Sequence, residues 1–422
     1  MNSSIVKEEE KMDKQSLFEK INSYKDEMID LQKRITSIPA LGPESGGEGE
    51  YKRAEFLKKW IKENLGIKEI MEINAPDDRV PSKVRPNLIF FYPGKNNDKT
   101  IWIMTHMDIV PAGDLSQWKN NPFQAWIEGD KLYGRGVEDN QQEMVASLFA
   151  LKALKEENIV PDYRIGIVLV ADEETGSEYG ISYVLDKEGD MFKKDDLIIV
   201  PDAGSPDGSL IEVAEKSILW CKFHIHGKQT HASTPELGIN AHRAAAHLAV
   251  KLDNLHKVFD KSDSVFDPPI STFEPTKKEK NVPNINTIPA EDIFYLDARV
   301  LPDYSLKEVK KEIEKYCSEI EKEFKVKIDI DYPQYAEAAP PTPTDSEVVV
   351  KLGKAIRETL GIKTKAIGIG GGTVAAEFRR KNLNVAVWAT QDELAHEPNE
   401  YIVIENMVKD AKVYATLFIQ ES

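Results

Sequence analysis

Apolar residues recur at helical spacing from Asp13 onward, through Leu17, Ile21, Tyr24, Met28, Leu31 and Ile35, until Pro39 stops the run. After the glycine-rich GPESGGEGE, residues 54–65 repeat that spacing and predict a second amphipathic helix. The period then changes. NLIFFYPG and TIWIMTHMD are short continuous apolar runs, DNQQEMVASLFALKALKEE is helical, and RIGIVLVADEE and DLIIVPDAG are again apolar runs. A helix over 346–360 and the strand NVAVWAT close the series. Continuous apolar strands separated by helices predict an α/β fold, with a mainly parallel sheet covered by helices on both faces.

The middle of the chain follows another rule. SILWCKFHIHG alternates like an antiparallel strand with one exposed face, and NAHRAAAHLAVKLDNLH is a helix. TIPAEDIFYLDARVL is a strand region, SLKEVKKEIEKYCSEIEKEF a charged helix, and KVKIDIDY a strand. A β-α-β-β-α-β order predicts a small two-layer domain inserted into the larger one. The expected division is 1–213 for the first part of the main domain, 214–334 for the insert and 335–422 for the second part. AAPPTPT at 338–344 reads as the return linker and KKEK at 277–280 as a solvated loop.

Length and charge narrow the function. At 422 residues two domains are expected. The 72 acidic residues outnumber the 55 basic ones, for a formal net charge of -17, which argues against binding nucleic acid or an anionic membrane. The opening MNSSIVKEEEKMDK lacks the apolar core of a signal peptide, and no apolar run approaches the length of a membrane span. Two cysteines, Cys221 and Cys317, fit a reducing compartment, so a cytoplasmic location is expected.

Open α/β sheets present chemistry beyond the carboxyl ends of their strands. Those ends deliver His106 and Asp108, Asp139 at a helix start, Glu173 and Glu174, Asp202, and His396. Each alone is ordinary, because a carboxylate after a strand commonly caps a helix or serves a turn. Two imidazoles and several carboxylates on one edge instead predict a metal site. Nitrogen and oxygen donors without thiolate suit zinc, cobalt or manganese. The acids of ADEETGS are more than one ion needs, and two cations would relieve their crowding. Neighbouring Glu173 and Glu174 point different ways, so one is a ligand and the other a base that serves a metal-activated water.

THMDIVPAG, YGRGVEDNQ, ADEETGS, KQTHASTPELGINA and AHEPNE occur together in an order and spacing that resembles one family. It is the zinc-dependent amidohydrolase family of succinyl-diaminopimelate desuccinylase, acetylornithine deacetylase, aminoacylase, glutamate carboxypeptidase and carnosinase. The resemblance spans nearly the whole chain after about residue 25 and implies a zinc-exopeptidase-like fold. It implies that His106, Asp139 and Asp202 bind one metal ion, and that Glu174, Asp139 and His396 bind the other. Asp139 would bridge the two, and its bond to Asn140 would be cis. Glu173 would be the general acid/base, and Asp108 would hold the His106 ring. The insert would be a lid and dimerisation domain, with His231 reaching the partner's site to stabilise the oxyanion. A homodimer acting on a small molecule or dipeptide follows.

Asn286, Arg299 and the glycine loop with Gly371, Gly372 and Thr373 match positions where relatives hold a substrate carboxylate. The other reading pairs Arg299 with Asp297 and makes Gly370–Gly372 a tight turn. His224 and His226, on an alternating strand, read as surface or packing residues, as do His242, His247 and His256. Substrate class stays divided. Asp202 stands where deacylases of the family usually carry Glu and dipeptidases Asp, which favours a dipeptidase. The short insert instead resembles the desuccinylase and deacetylase type.

Overall fold

The computed structural model describes residues 14–421; the opening segment read above for a signal peptide lies, up to residue 13, outside the described residues. The chain forms two compact units. Of the described residues, the larger comprises 14–213 together with 342–366 and 373–421, and the smaller comprises 214–341 and 367–372. The smaller unit runs past the expected boundary at 334, because the strand Lys327–Ala336 continues and the Ala338 amide then donates to Ser217 Oγ at 2.8 Å. It also takes in residues 367–372, which include most of the glycine loop.

An eight-stranded sheet, most of it in the larger unit, has the order Met71–Pro76, Val84–Tyr92, Tyr163–Val170, Asn96–His106, Leu197–Val200, Val385–Val387, Leu210–Glu215 and Lys365–Ile369. Its centre is parallel. Asn96–His106 pairs in parallel with both Tyr163–Val170 and Leu197–Val200, and Leu197–Val200 pairs in parallel with Val385–Val387. Val84–Tyr92 adds to this centre antiparallel. Continuous apolar strands are what such a centre demands, since both faces are covered.

Trp102, Met104, Val168, Val170, Ile198, Val200, Val385 and Val387 pack on one face with Ile181, Val184 and Phe378 from the helices Ile181–Glu188 and Ala375–Arg380. Helix Gln142–Glu156 packs against Asn96–His106 and against Ile404–Phe418, which also meets Glu347–Leu360. Every residue from Gln142 to Leu154 is buried, which explains the weak amphipathicity of that segment. Residues 54–65 were expected as one helix; the helix is Tyr51–Trp60, and Ile61–Leu65 widens into a π turn.

The smaller unit is a four-stranded antiparallel sheet ordered Thr272–Lys278, Glu291–Val300, Ser217–His226 and Lys327–Ala336. Leu219, Cys221, Phe223 and Ile225 alternate onto its core face, beneath Ala241–Leu252 and Leu306–Phe324. Asn240 caps the first helix by accepting from the Arg243 amide, and Ser305 with Glu308 forms a capping box on the second. The KKEK segment is not wholly loop. Lys277 and Lys278 pair with Tyr295 and Phe294, in an edge strand whose Pro275 and lysines hide it from a propensity reading.

Candidate metal centre

The parallel strands finish at one edge, and the predicted chemistry gathers there. His106 is the last residue of its strand and is buried. Asp139 sits in the turn Val137–Gln141 before the buried helix, and its peptide bond to Asn140 is cis. Glu173 and Glu174 open a short turn after Tyr163–Val170, Asp202 follows Leu197–Val200, and His396 lies in the loop after Val385–Val387. All of these belong to the larger unit.

Asp139 is the centre of the arrangement. Its Oδ1 lies 3.0 Å from His106 Nε2, and its Oδ2 lies 3.3 Å from His396 Nε2. Beyond His106 stands Asp202, with Oδ1 3.5 Å from the same nitrogen; beyond His396 stands Glu174, with Oε2 at 3.0 Å. Donor atoms of His106, Asp139 and Glu174 lie within 4.8 Å of one another, and so do those of His106, Glu173 and Asp202. A bridging carboxylate with an imidazole on each oxygen is a donor set that two cations can share.

Supporting carboxylates fix this set, and most of them were not singled out from the sequence. Asp108 does more than face the His106 ring: its Oδ1 accepts from the Glu173 amide at 3.1 Å and its Oδ2 from the Glu174 amide at 3.0 Å. The His106 Nδ1 lies 3.1 Å from the Asp108 carbonyl oxygen and 3.4 Å from its carboxylate. Glu400 is fully buried and accepts from the amides of Gly136, Glu138 and Asp139 and from Arg135. Glu138 accepts from the amides of Asp392 and Leu394, which holds the approach to His396. Asn140 donates to Asp202 and accepts from the His106 amide. Gly136 has φ +81°, and a Cβ there would lie 2.4 Å from Ile109 Cγ2, so the turn before Asp139 needs glycine.

The acidic triplet resolves into two roles. Asp172 turns away, accepting from Thr175 and from the Tyr179 amide, with Arg85 3.5 Å away. Glu173 and Glu174 remain in the cluster, and the crowding shows in their acidity. Burial and the neighbouring Asp202 push Glu173 well above the usual carboxylate range. Burial also pushes Glu174 up to about 7, against the opposing hydrogen bond with His396. Asp139 moves the other way: burial would raise it, but His106 and His396 hold it well below the usual range. His396, held by Asp139 and Glu174, is raised to about 10. The crowded carboxylates and the two imidazoles thus shift one another's acidity in opposite directions, and divalent cations are the charges that would relieve that crowding.

A model of peptidase family M20/M25/M40 matches residues 102–420. The chain belongs to that family. An uncharacterized metallohydrolase of Methanococcus maripaludis is 45% identical over 413 residues, covering 93% of this chain and 99% of the relative. Acetylornithine deacetylase of Dictyostelium discoideum is 26% identical, covering 89% and 90%. Among solved structures, aminopeptidase PepT from Bacillus cereus aligns with a TM-score of 0.72 at 20% identity, over 93% of this chain and 98% of that one. The protein is a metallohydrolase of the M20 family, and among the described residues no helix is long and apolar enough to cross a membrane.

The remaining residues singled out from the sequence of this M20 protein lie mainly in its smaller unit. His231 and Asn286 come together there: Asn286 Nδ2 is 3.4 Å from His231 Nε2, and the Ala232 amide donates to the Asn286 carbonyl at 2.9 Å. His231 is exposed, with Nδ1 2.6 Å from Ser233 Oγ. Arg299 is paired with Asp297, at 2.7 Å, and donates to the Gly370 carbonyl at 2.8 Å. Two of its nitrogens thus face Asp297, as the alternative sequence reading had it. Gly371 and Gly372 follow in the same unit, while Thr373 returns to the larger one.

Proposed function

We propose that this protein is a dinuclear zinc hydrolase that cleaves the amide bond of a small substrate bearing a free carboxylate, with dipeptidase-like activity. The observation that carries the proposal is Asp139 between His106 and His396, with Asp202 and Glu174 completing the two ends. His106, Asp139 and Asp202 would hold one ion; Glu174, Asp139 and His396 would hold the other. When bound, the ions supply Lewis acidity and a water whose pKa falls to near neutrality.

The protein's own residues do the rest. Glu173, raised by burial among acids, takes the proton from the attacking water and returns it to the leaving amine. Asp108 holds the Glu173–Glu174 turn through two backbone amides and orients His106. His231 of a second protomer in a homodimer would stabilise the oxyanion, and Asn286, Arg299, Gly371, Gly372 and Thr373 would hold the substrate carboxylate. A cytoplasmic enzyme is consistent with Cys221 and Cys317, both free and buried.

An N-acyl-amino-acid deacylase is the second reading, favoured by the sequence likeness to acetylornithine deacetylase. Asp202 supports the dipeptidase. The test is hydrolysis of a mixed panel of dipeptides and N-acetyl and N-succinyl amino acids by zinc-loaded protein, with a chelated control. Dipeptide turnover is expected. Turnover of acyl amino acids alone would establish the second reading, and no chelator-sensitive turnover on either class would sink both.

A further inference from the structure

The sheet of the smaller unit holds a second set of metal-type donors that the proposed activity does not use. Alternation along Ser217–His226 buries Cys221, Phe223 and Ile225 and puts His224 and His226 on the opposite face. Their rings lie 3.9 Å apart between centroids. On one neighbouring strand Glu291 is the direct partner of His226; on the other, Asp329 is the direct partner of His224.

We propose that His224, His226 and Glu291 form a zinc-binding site on this face, with Asp329 orienting His226. The distances separate this from ordinary pairing. His224 Nε2 lies 3.8 Å from Glu291 Oε2, and His226 Nδ1 lies 3.9 Å from Glu291 Oε1. Both are too long for a hydrogen bond. Two donors bound at about 2.0–2.2 Å to one tetrahedral ion stand roughly 3.3–3.5 Å apart, a few tenths of an ångström closer than these two pairs.

The hydrogen bonds around the trio agree. His226 Nε2 is 3.0 Å from Asp329 Oδ2, and the other oxygen of Asp329 is held by Lys327 at 2.6 Å. With Nε2 bonded to Asp329, Nδ1 is the His226 nitrogen left to face Glu291, and a carboxylate beside it is stable only with a proton or a cation between them. Histidine ligands ordinarily donate their second ring N–H to a carboxylate in this way. The His224 Nε2 is shielded from solvent and has no hydrogen-bond partner among the described residues. Donor atoms of all three residues fall within 4.8 Å of one another. Two imidazoles and one carboxylate without thiolate suit zinc, and copper(II) or nickel(II) by the same chemistry. A fourth position is left for water. The ion would tie the two central strands together, and it shares no residue with the His106–His396 cluster.

Full-length protein stripped of metal is titrated with Zn2+, and bound metal is counted after dialysis for wild type and for the double variant His224→Gln with His226→Gln. The variant is expected to bind one equivalent fewer, and to lose part of the rise in melting temperature that zinc gives the wild type. Glu291→Gln, a change at an exposed side chain, should weaken that same equivalent at least tenfold and guards against a double variant that fails to fold. Equal stoichiometry and affinity in wild type and Glu291→Gln would overturn the proposal, whatever the activity of the His106–His396 centre.

Discussion

Asp108 gives the sharpest test of how the centre is built. Its carboxylate is buried and spans two consecutive amides, those of Glu173 and Glu174, with one oxygen on each. Asp108→Asn keeps the shape but offers only one acceptor, so a backbone N–H must face the new NH2. A hydrogen bond to a charged group contributes about 1.5–3 kcal/mol, and a buried donor left unpaired costs about 1–3 kcal/mol. These overlap, and a combined loss of roughly 2–4 kcal/mol corresponds to roughly a 30- to 1,000-fold effect. The loss falls on the segment carrying Glu173 and Glu174, so it should appear in kcat, while the contact of His106 Nδ1 with the Asp108 carbonyl oxygen is left in place. The assay is kcat on the best substrate of the panel, with metal content and melting temperature measured on the same sample. A kcat within threefold of wild type at full metal content would refute the claim that Asp108 sets the glutamate turn.

Three further outcomes are expected. Glu173→Gln should retain full metal content yet lose at least about 100-fold in kcat, as removal of a general base does; metal loss would make Glu173 a ligand instead. Glu400→Gln disturbs the acceptor shared by three amides before and at Asp139, and should weaken the more loosely held ion by about 10–100-fold in a metal titration; unchanged affinities would remove Glu400 from that role. The third concerns stability against pH. Burial raises both Glu143 and Asp410, so the folded pair keeps a proton that the unfolded chain releases near pH 4. The folded state then binds more protons above that pH, and stability declines as pH rises toward the folded value. Glu143→Gln should flatten the fall in melting temperature of metal-free protein between about pH 5 and about pH 8. An unchanged slope would dismiss the pair as its source.

How much was legible followed from how local the signal was. His106, Glu173, Glu174 and Asp202 each lie within three residues of the end of an apolar run, and such runs mark a strand buried on both faces and therefore its end. Glu400 offered no such mark. It lies 261 residues beyond Asp139, whose amide it accepts, and in sequence it is one acid in a polar loop. Glu138 and Asn140 likewise act through loops whose approach no period encodes. The edge strand Thr272–Lys278 was obscured because edge positions tolerate Pro275 and lysines, which disfavour pairing elsewhere. His224 and His226 were assigned the correct face, but the partners that make them interesting come from two other strands.

The distribution of backbone strain explains why so many carboxylates are needed. Asp172, beside the two cluster glutamates, has φ +61°, and His396 has φ +67°, both left-handed conformations that side chains with a Cβ adopt at a cost of roughly 1–2 kcal/mol. Such conformations persist only where surrounding contacts over-determine them. Here the contacts come from buried acids that accept backbone amides: Asp108 for the Glu173–Glu174 turn, Glu138 for the loop ahead of His396, and Glu400 for the Asp139 turn. The acids therefore divide into an inner group, Asp139, Asp202 and Glu174, whose oxygens meet the imidazole Nε2 atoms, and an outer group, whose oxygens accept peptide N–H. Only the inner group has its charge to offer a cation. Replacing an outer acid by its amide should thus alter the geometry and affinity of the centre before its stoichiometry, whereas replacing Asp139, His106 or His396 should remove an ion outright.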